Sequence, residues 1–171
     1  LSDPEVMAAL SGDAMFFAVP AEERNGAKRR MIAEGLFDDI DIAVTHHTNY
    51  APGQPDLVLG SMRNNGVTLK RIVFTGRAAH AGGVPHEGIN ALSAASIGMT
   101  AIGYLRETFR DEDSVRVHGI VTEGGAAQNV VPGRVVLEYG VRANNTAALL
   151  DAGEKVDRAF SAGALAMGAK V

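Results

Sequence analysis

The chain has 171 residues, of which 46% are hydrophobic, and its formal net charge is −4. This length is enough for one ordinary domain or two small ones, and the composition is typical of a soluble globular protein. The acidic balance, without any basic stripe, argues against a nucleic-acid partner. No apolar run approaches the roughly 18 residues that a membrane helix needs, so we expect no membrane partner.

Cysteine is absent from the sequence. A disulfide and a thiolate metal site are therefore excluded, and any metal would have to be held by His, Asp or Glu. The lack of thiols fits a reducing compartment, and we expect a cytoplasmic location. The chain begins with Leu1 and ends at Val171, in what reads as the first residues of a strand. We therefore expect it to be an internal part of a longer protein.

The first 50 residues follow the strand–helix–strand order of a parallel α/β layer. A short helix is predicted over residues 4–10. Residues 14–19 form a short, continuously apolar run, which is typical of a buried central strand of a parallel sheet. A helix is predicted over residues 27–36, and a second buried strand over residues 40–44. These elements predict part of an α/β domain.

Residues 51–66 are rich in Pro, Gly and Asn. This composition is typical of a linker, and it predicts a domain boundary near residues 57–65. The boundary divides the chain into residues 1–60 and residues 61–171.

The second part of the chain has a β-α-β-β-α order, followed by the first residues of one more strand. In chain order, the periodicity predicts strand 67–74, helix 89–109, strands 115–121 and 130–141, and helix 149–167. Asn145 or Thr146 is available as the N-cap of the last helix. This order matches the split βαβ, ferredoxin-like plan, in which an antiparallel sheet carries two helices on one face.

A pair of carboxylates, Glu22 and Glu23, directly follows the first predicted strand. In open α/β sheets, ligands bind beyond the carboxyl ends of the strands. One carboxylate of such a pair can bind a divalent metal while the other takes a proton from the metal-bound water. An exposed helix N-terminus, where the helix dipole favours acidic residues, explains the pair equally well.

Two histidines, His46 and His47, end the second predicted strand, at the same edge of the sheet as the glutamates. Neutral imidazole is a common ligand of zinc and similar metals. Because successive side chains on an extended chain diverge, only one of the two is expected to point into a site. The alternative interpretation is two loop histidines exposed to water.

Three polar residues in the second part of the chain are candidates for substrate contact. His80 lies among the small residues of segment 78–83, and its imidazole could polarise a carbonyl. Asn129 follows the small residues 124–128 and could hydrogen-bond a substrate. Arg142 ends a predicted strand and could bind a carboxylate through two hydrogen bonds. Taken one at a time, the three are better explained as two turn residues and a surface arginine.

Five stretches of the sequence, in order along the chain, resemble the metallo-aminoacylase and amidohydrolase superfamily, and most closely its aminobenzoyl-glutamate utilisation branch. They read FAVPAEE at 17–23, GLFDDID at 35–41, FTGRAAHAG and PHEGINAL within 74–92, RETFRD at 106–111, and TEGG and NVVP within 122–132. The stretches span most of the chain. The resemblance implies metal-dependent hydrolysis of the amide bond in an N-acyl amino acid or a dipeptide-like substrate.

The resemblance implies roles at the metal centre for residues of the first part. Glu22 would be the general base that activates the attacking water, and Glu23 would be a metal ligand. His47, rather than His46, would be the next ligand, because its spacing from the preceding stretch matches this branch. The site would hold two divalent ions, zinc or manganese. Residues 1–60 would then be part of the metal-binding catalytic α/β domain.

The resemblance also implies that residues 61–171 form a ferredoxin-like lid domain, with its last strand incomplete, through which two copies make a homodimer. His80 would reach the active site of the partner subunit and stabilise the oxyanion. Asn129 would assist in substrate binding, and Arg142 would hold the substrate carboxylate.

The sequence departs from the family at the metal centre. The family's remaining ligands lie in a Gly-His motif before the glutamate pair and in a His near the C-terminus. Neither is present in this chain, which offers at most two or three ligands, fewer than a two-metal site needs. The alternative hypothesis is therefore a non-catalytic dimerisation lid fragment that is inactive in isolation.

Overall fold

The computed structural model describes residues 3–20, 26–46, 53 and 64–171. The chain divides into two units, Leu1–Val58 and Leu59–Val171. None of the helices among the described residues is long and apolar enough to cross a membrane.

The first unit contains two short helices, α1 (Pro4–Ala9) and α2 (Ala27–Ala33). The Asp3 carboxylate caps α1, since it accepts hydrogen bonds from the backbone N–H groups of Glu5 at 2.9 Å and Val6 at 3.3 Å. Both helices occur where the sequence predicts them, and each is slightly shorter than predicted.

The two strands predicted in this unit are wrong. Residues 14–19 and 40–44 have an irregular backbone, and apolar side chains in both segments are exposed, with Phe16 at 82% and Val44 at 90%. A central strand of a parallel sheet needs a hydrogen-bonded neighbour on each side and cover on both faces. The described residues of this unit provide neither, so the apolar runs do not form strands here.

The second unit is built on a three-stranded antiparallel sheet of β1 (Gly66–Thr75), β2 (Arg116–Glu123) and β3 (Arg134–Ala143), in the order β1-β3-β2. The central strand β3 pairs with both neighbours. Beyond the last helix, Lys170 forms an antiparallel bridge with Thr75 through two backbone hydrogen bonds of 2.8 Å. The sheet therefore extends past β1 by this bridge.

Two long helices, α3 (Ala91–Leu105) and α4 (Thr146–Met167), pack on one face of the sheet. Each begins after an asparagine, Asn90 or Asn145, whose side chain accepts a hydrogen bond of 2.9 Å from a backbone N–H of the first turn. Asn145 is thus the N-cap of α4, as one of the two sequence alternatives predicted. Single turns of 3₁₀ helix occur at Pro85–Glu87, Arg106–Thr108 and Asp111–Asp113.

The core lies between the sheet and the two helices. Phe74 of β1, Leu137 of β3 and Phe160 of α4 are buried there, and the rings of the two phenylalanines meet edge to face with centroids 5.8 Å apart. The helices approach closely, because a Cβ built on Gly163 of α4 would lie 2.2 Å from the carbonyl oxygen of Ala94 in α3. This unit is a small antiparallel sheet with two helices, in the element order that the periodicity predicts.

Candidate functional site

His80 lies in the loop that follows β1 (residues 76–84, the His80 loop), beside the segment that leads into β3. The residues on both sides of His80 are hydrogen-bonded to this segment through their backbones, at 2.9 Å in each case. On one side, the Ala81 N–H donates to the carbonyl of Asn129. Two of the predicted site residues, His80 and Asn129, are therefore held on neighbouring backbone segments.

The side chain of His80 is exposed and is held by its own loop. Its Nδ1 accepts a hydrogen bond from the Gly82 N–H at 3.2 Å. Its carbonyl accepts hydrogen bonds from the N–H groups of Gly83 at 3.2 Å and Val84 at 3.0 Å. The recorded contacts of His80 are therefore with backbone N–H groups, and they set the position of the residue in the loop.

Asn129 is exposed at the end of the small-residue segment 124–128. This segment lines a shallow depression of about 420 Å³ together with Asn90, Leu92 and Val130. No charged side chain belongs to the lining among the described residues. The depression therefore offers amide and backbone groups to a ligand, but neither an acid nor a metal ligand.

Arg142 is exposed near the C-terminal end of β3, where it faces Val67 of β1 and Arg116 of β2. The His80 loop follows Thr75, which pairs with Arg134 at the opposite end of β3. Eight residues separate Arg134 from Arg142, which is about 27 Å at about 3.4 Å per residue. The structure therefore does not bring Arg142 together with His80 and Asn129 within one copy of the chain.

The predicted metal centre lies outside the described residues. Glu22, Glu23 and His47 all fall in the undescribed ranges, so their predicted roles remain predictions. His46, the less favoured ligand, is described and exposed. Within the described ranges, no group of three or more His, Asp or Glu side chains is placed to hold a metal ion.

The sequence analysis did not single out Gly82 or Arg106. Arg106 donates from Nη2 to the carbonyl of Val117 in β2 at 3.0 Å. Burial raises the pKa of the Tyr139 phenol above its ordinary value, and the Arg106 guanidinium lowers it in part. Residue type gave no signal for Gly82, because a glycine in a turn is common. Arg106 lies in the family-like stretch RETFRD, which was the only available signal.

A second depression, of about 450 Å³, lies at the start of β2 and is lined by three arginines, Arg106, Arg110 and Arg116. Arg106 and Arg116 donate to backbone carbonyls, and Arg110 forms an ion pair with Glu112. Because each guanidinium already has a partner within the chain, this depression does not form a ready-made anion site.

Comparison with known proteins relates the chain to peptidases and amide hydrolases. The family model described as a peptidase dimerisation domain matches residues 63–167. The chain is 35% identical over 153 residues to the Xaa-Arg dipeptidase of Mus musculus, covering 89% of this chain and 33% of that protein. It is 35% identical over 137 residues to one of the two polypeptides of the p-aminobenzoyl-glutamate hydrolase of Escherichia coli (strain K12), covering 77% of this chain and 26% of that protein. The chain thus spans about a third or less of the length of these curated relatives.

Solved structures resemble the chain as well. The aminobenzoyl-glutamate utilization protein from Klebsiella pneumoniae matches with a TM-score of 0.65 and 27% identity, covering 83% of this chain and 36% of that chain. A hydantoinase/carbamoylase family amidase from Burkholderia multivorans matches with a TM-score of 0.54 and 24% identity, covering 62% of this chain and 26% of that chain. The second likeness is one of fold alone.

Proposed function

Because this chain belongs to the M20 peptidase dimerisation domain family, we propose that it is part of a metal-dependent hydrolase. The proposed reaction is hydrolysis of the amide bond in an N-acyl amino acid or a dipeptide-like substrate. The observation that carries the proposal is the 35% identity to a named dipeptidase over 89% of the chain. The non-catalytic alternative is not favoured, because the curated relatives are named as a dipeptidase and as hydrolases.

The domain plan proposed here assigns residues 61–171 to a ferredoxin-like lid and residues 1–60 to part of the catalytic α/β domain. The antiparallel order β1-β3-β2, with both long helices on one face, supports the lid assignment. The bridge between Thr75 and Lys170 supports a fourth strand beside β1, at the position where this plan places one.

The proposed metal centre rests on donor chemistry. Glu23 and His47 would hold part of a site for two divalent ions, since zinc and manganese both accept carboxylate and imidazole ligands. Such ions supply Lewis-acid polarisation of the scissile carbonyl. Glu22 would take a proton from the attacking water and return it to the leaving amine.

The lid residues are proposed to bind the substrate from two copies of the chain. The exposed imidazole of His80 would donate a hydrogen bond to the oxyanion, and Asn129 beside it would bind the substrate. A dipeptide-sized substrate spans only about 7 Å, far less than the separation of about 27 Å along β3 between the two ends where His80 and Arg142 lie. If both residues act on one substrate, they must therefore come from different copies.

The free edge of the sheet supports a homodimer. β2 is an outer strand that pairs with β3 on one side only in the described part of the chain. An outer strand presents unpaired backbone groups to which another strand can pair. A two-fold axis beside β2 would join the same strand of two copies into one continuous sheet. Ile120 on this strand is 63% exposed, and such an interface would cover it.

Glu22→Gln in the intact protein tests the proposed base. We expect kcat for Xaa-Arg dipeptides or p-aminobenzoyl-glutamate to fall by about 10²–10⁴-fold, the usual contribution of a general base. The bound metal, measured by inductively coupled plasma mass spectrometry, should stay constant in this variant and decrease in Glu23→Gln. A loss of less than about tenfold would overturn the assignment of Glu22.

Mixing two inactive variants tests whether His80 acts on the partner subunit. Glu22→Gln and His80→Ala are unfolded together, refolded and assayed. Half of randomly formed dimers are mixed, and each mixed dimer has one site with both residues intact, so about a quarter of the wild-type activity should return. If no activity returns although ultracentrifugation with labelled chains shows mixed dimers, His80 acts within its own protomer.

A further inference from the structure

We infer that Gly82 is a positioning residue for His80, and that its backbone N–H fixes the imidazole in the neutral form that carries its proton on Nε2. The inference rests on the proposed function for its role in catalysis, because His80 is there the donor to the oxyanion. The tautomer itself follows from geometry alone.

The first step concerns the hydrogen bond between the loop backbone and the ring. The Gly82 nitrogen lies 3.2 Å from Nδ1 of His80. A backbone N–H can only donate, so Nδ1 must accept, and a neutral imidazole has one donor and one acceptor nitrogen. The proton of the neutral ring is therefore on Nε2.

The second step concerns what is left for Nε2. His80 is exposed, and over the described ranges Nε2 has no recorded hydrogen-bond partner. The backbone on both sides of His80 is held by hydrogen bonds to the segment at Asn129. With the backbone and Nδ1 both engaged, the Nε2–H is the group that remains free to donate to another molecule.

The third step concerns the space beside the ring. A Cβ built on Gly82 would lie 3.3 Å from Cε1 of His80, and one built on Gly83 would lie 3.4 Å from Nδ1. Neither glycine has a left-handed φ, so the loop does not need their conformational freedom. The absence of side chains at these two positions instead leaves room for the imidazole in its hydrogen-bonded orientation.

These three observations have one chemical consequence. An uncharged Nε2–H aimed away from the loop can donate to a developing oxyanion, and such a donor is most effective when it is held in place before the reaction. In the other tautomer, Nε2 would present a lone pair to the oxyanion and repel it. The Gly82 N–H therefore selects the form of His80 that the proposed reaction requires.

The tautomer can be measured without any assay of activity. A long-range ¹H–¹⁵N correlation spectrum of the labelled chain, recorded where the histidines are neutral, distinguishes a protonated ring nitrogen from an unprotonated one. The His80 signals are assigned by their loss in His80→Gln. We expect His80 to show a single form, with Nδ1 unprotonated and Nε2 protonated, and exposed His86 serves as the internal reference. A protonated Nδ1, or the same averaged mixture at both histidines, overturns the inference.

Variants of the loop test the positioning role. Gly82→Ala should disturb the His80 signals and lower kcat of the intact protein by about 10- to 100-fold with little change in KM, because misplacing a reacting group by about 1 Å costs about that much. Gly103→Ala is the matched control, since a Cβ there meets nothing within 4 Å. Unchanged His80 signals and unchanged kcat in Gly82→Ala overturn the role. If the tautomer is as expected but His80→Ala keeps full activity, the proposed function fails and the assignment of the ring stands.

Discussion

At the scale of single residues, Tyr139 is held by close packing on the helix-covered face of the sheet. Its ring lies edge to face with Phe160, with centroids 5.1 Å apart. It also covers Gly119 of β2, where an added Cβ would lie 2.3 Å from Cδ2 of the tyrosine. This burial raises the pKa of the Tyr139 phenol, and the charge of Arg106 opposes the shift in part. The phenol therefore stays neutral in the folded protein at a pH where it ionises in the unfolded chain.

The raised pKa of Tyr139 predicts a loss of stability in alkali. Below the ordinary tyrosine pKa of about 10, the phenol is neutral in both states and contributes nothing to the pH dependence. As the pH rises through that value, the unfolded chain releases the proton and the folded chain does not, so the free energy of unfolding falls. Urea unfolding between about pH 9 and 11 should show this fall in the wild type and less of it in Tyr139→Phe. Tyr104→Phe, at an exposed position, is the control and should keep the wild-type dependence.

The candidate site shows which properties of a residue are predictable from sequence. The small neighbours of His80 and the turn around Asn129 were visible in the sequence, and the structure places both residues on adjacent segments. The hydrogen bond from Gly82 was not predictable, because it depends on how the loop folds back on the ring. The position of Arg142 at a strand end was predicted correctly, but its separation from His80 depends on the pairing register of β3. Glu22 stays a prediction, since it lies outside the described residues.

At the scale of elements, α3 and α4 are held together by glycines at their crossing. A Cβ on Gly98 would lie 2.5 Å from Cδ1 of Phe160, and one on Gly163 would lie 2.2 Å from the carbonyl oxygen of Ala94. Both distances are shorter than side chains tolerate, and the second involves backbone, which cannot rotate away. The close approach of the helices therefore depends on the absence of a side chain at these positions.

The helix crossing predicts that Gly163→Ala destabilises the protein. Alanine favours the helix by about 1 kcal/mol relative to glycine, but overpacking of a closed contact costs about 1–3 kcal/mol or more. The short distance to backbone places the cost at the upper end, so we expect the free energy of unfolding to fall by about 1–2 kcal/mol. Urea denaturation followed by circular dichroism measures the change. Gly103→Ala in α3 has open space around its Cβ and should be neutral or slightly stabilising. Equal stability of the two variants would mean that the helices are not packed this closely.

The strands show where periodicity is sufficient and where it is not. In the second unit, alternating apolar residues predicted β1, β2 and β3, and each strand finds a hydrogen-bonded neighbour within the same unit. In the first unit, the apolar runs at 14–19 and 40–44 carried an equally clear signal of burial, but no strand forms. An apolar run indicates that a segment needs cover, whereas a strand also needs a neighbour that supplies backbone groups.

At the scale of the whole molecule, the outer strand β2 predicts how two copies associate. Ile120→Lys places a charge on this strand, and lysine on an outer strand opposes pairing with another strand. We expect the dissociation constant of the dimer, measured by analytical ultracentrifugation, to rise by at least about tenfold, or about 1.4 kcal/mol. Leu69→Lys on β1 is the matched control, because Leu69 is also exposed, at 77%, but lies on the other outer strand.

Two outcomes would count against the proposed interface. If Ile120→Lys leaves the dissociation constant unchanged, the dimer forms through another surface. If Leu69→Lys weakens the dimer equally, the open face of the sheet matters and the edge of β2 does not. Circular dichroism should show that both variants keep the wild-type fold, since both side chains are exposed.

The length of β3 gives the lid a mechanical property. The strand is a rigid bar whose two ends lie near His80 and near Arg142, and it measures about 27 Å between Arg134 and Arg142. Turning the bar by about 5° around its middle moves each end by about 1 Å in opposite directions, a displacement that can cost about a hundredfold in rate. A tilt of one lid would therefore misalign two active sites of a dimer at once. The stiffness of the contact between the two lids then sets the precision of both sites.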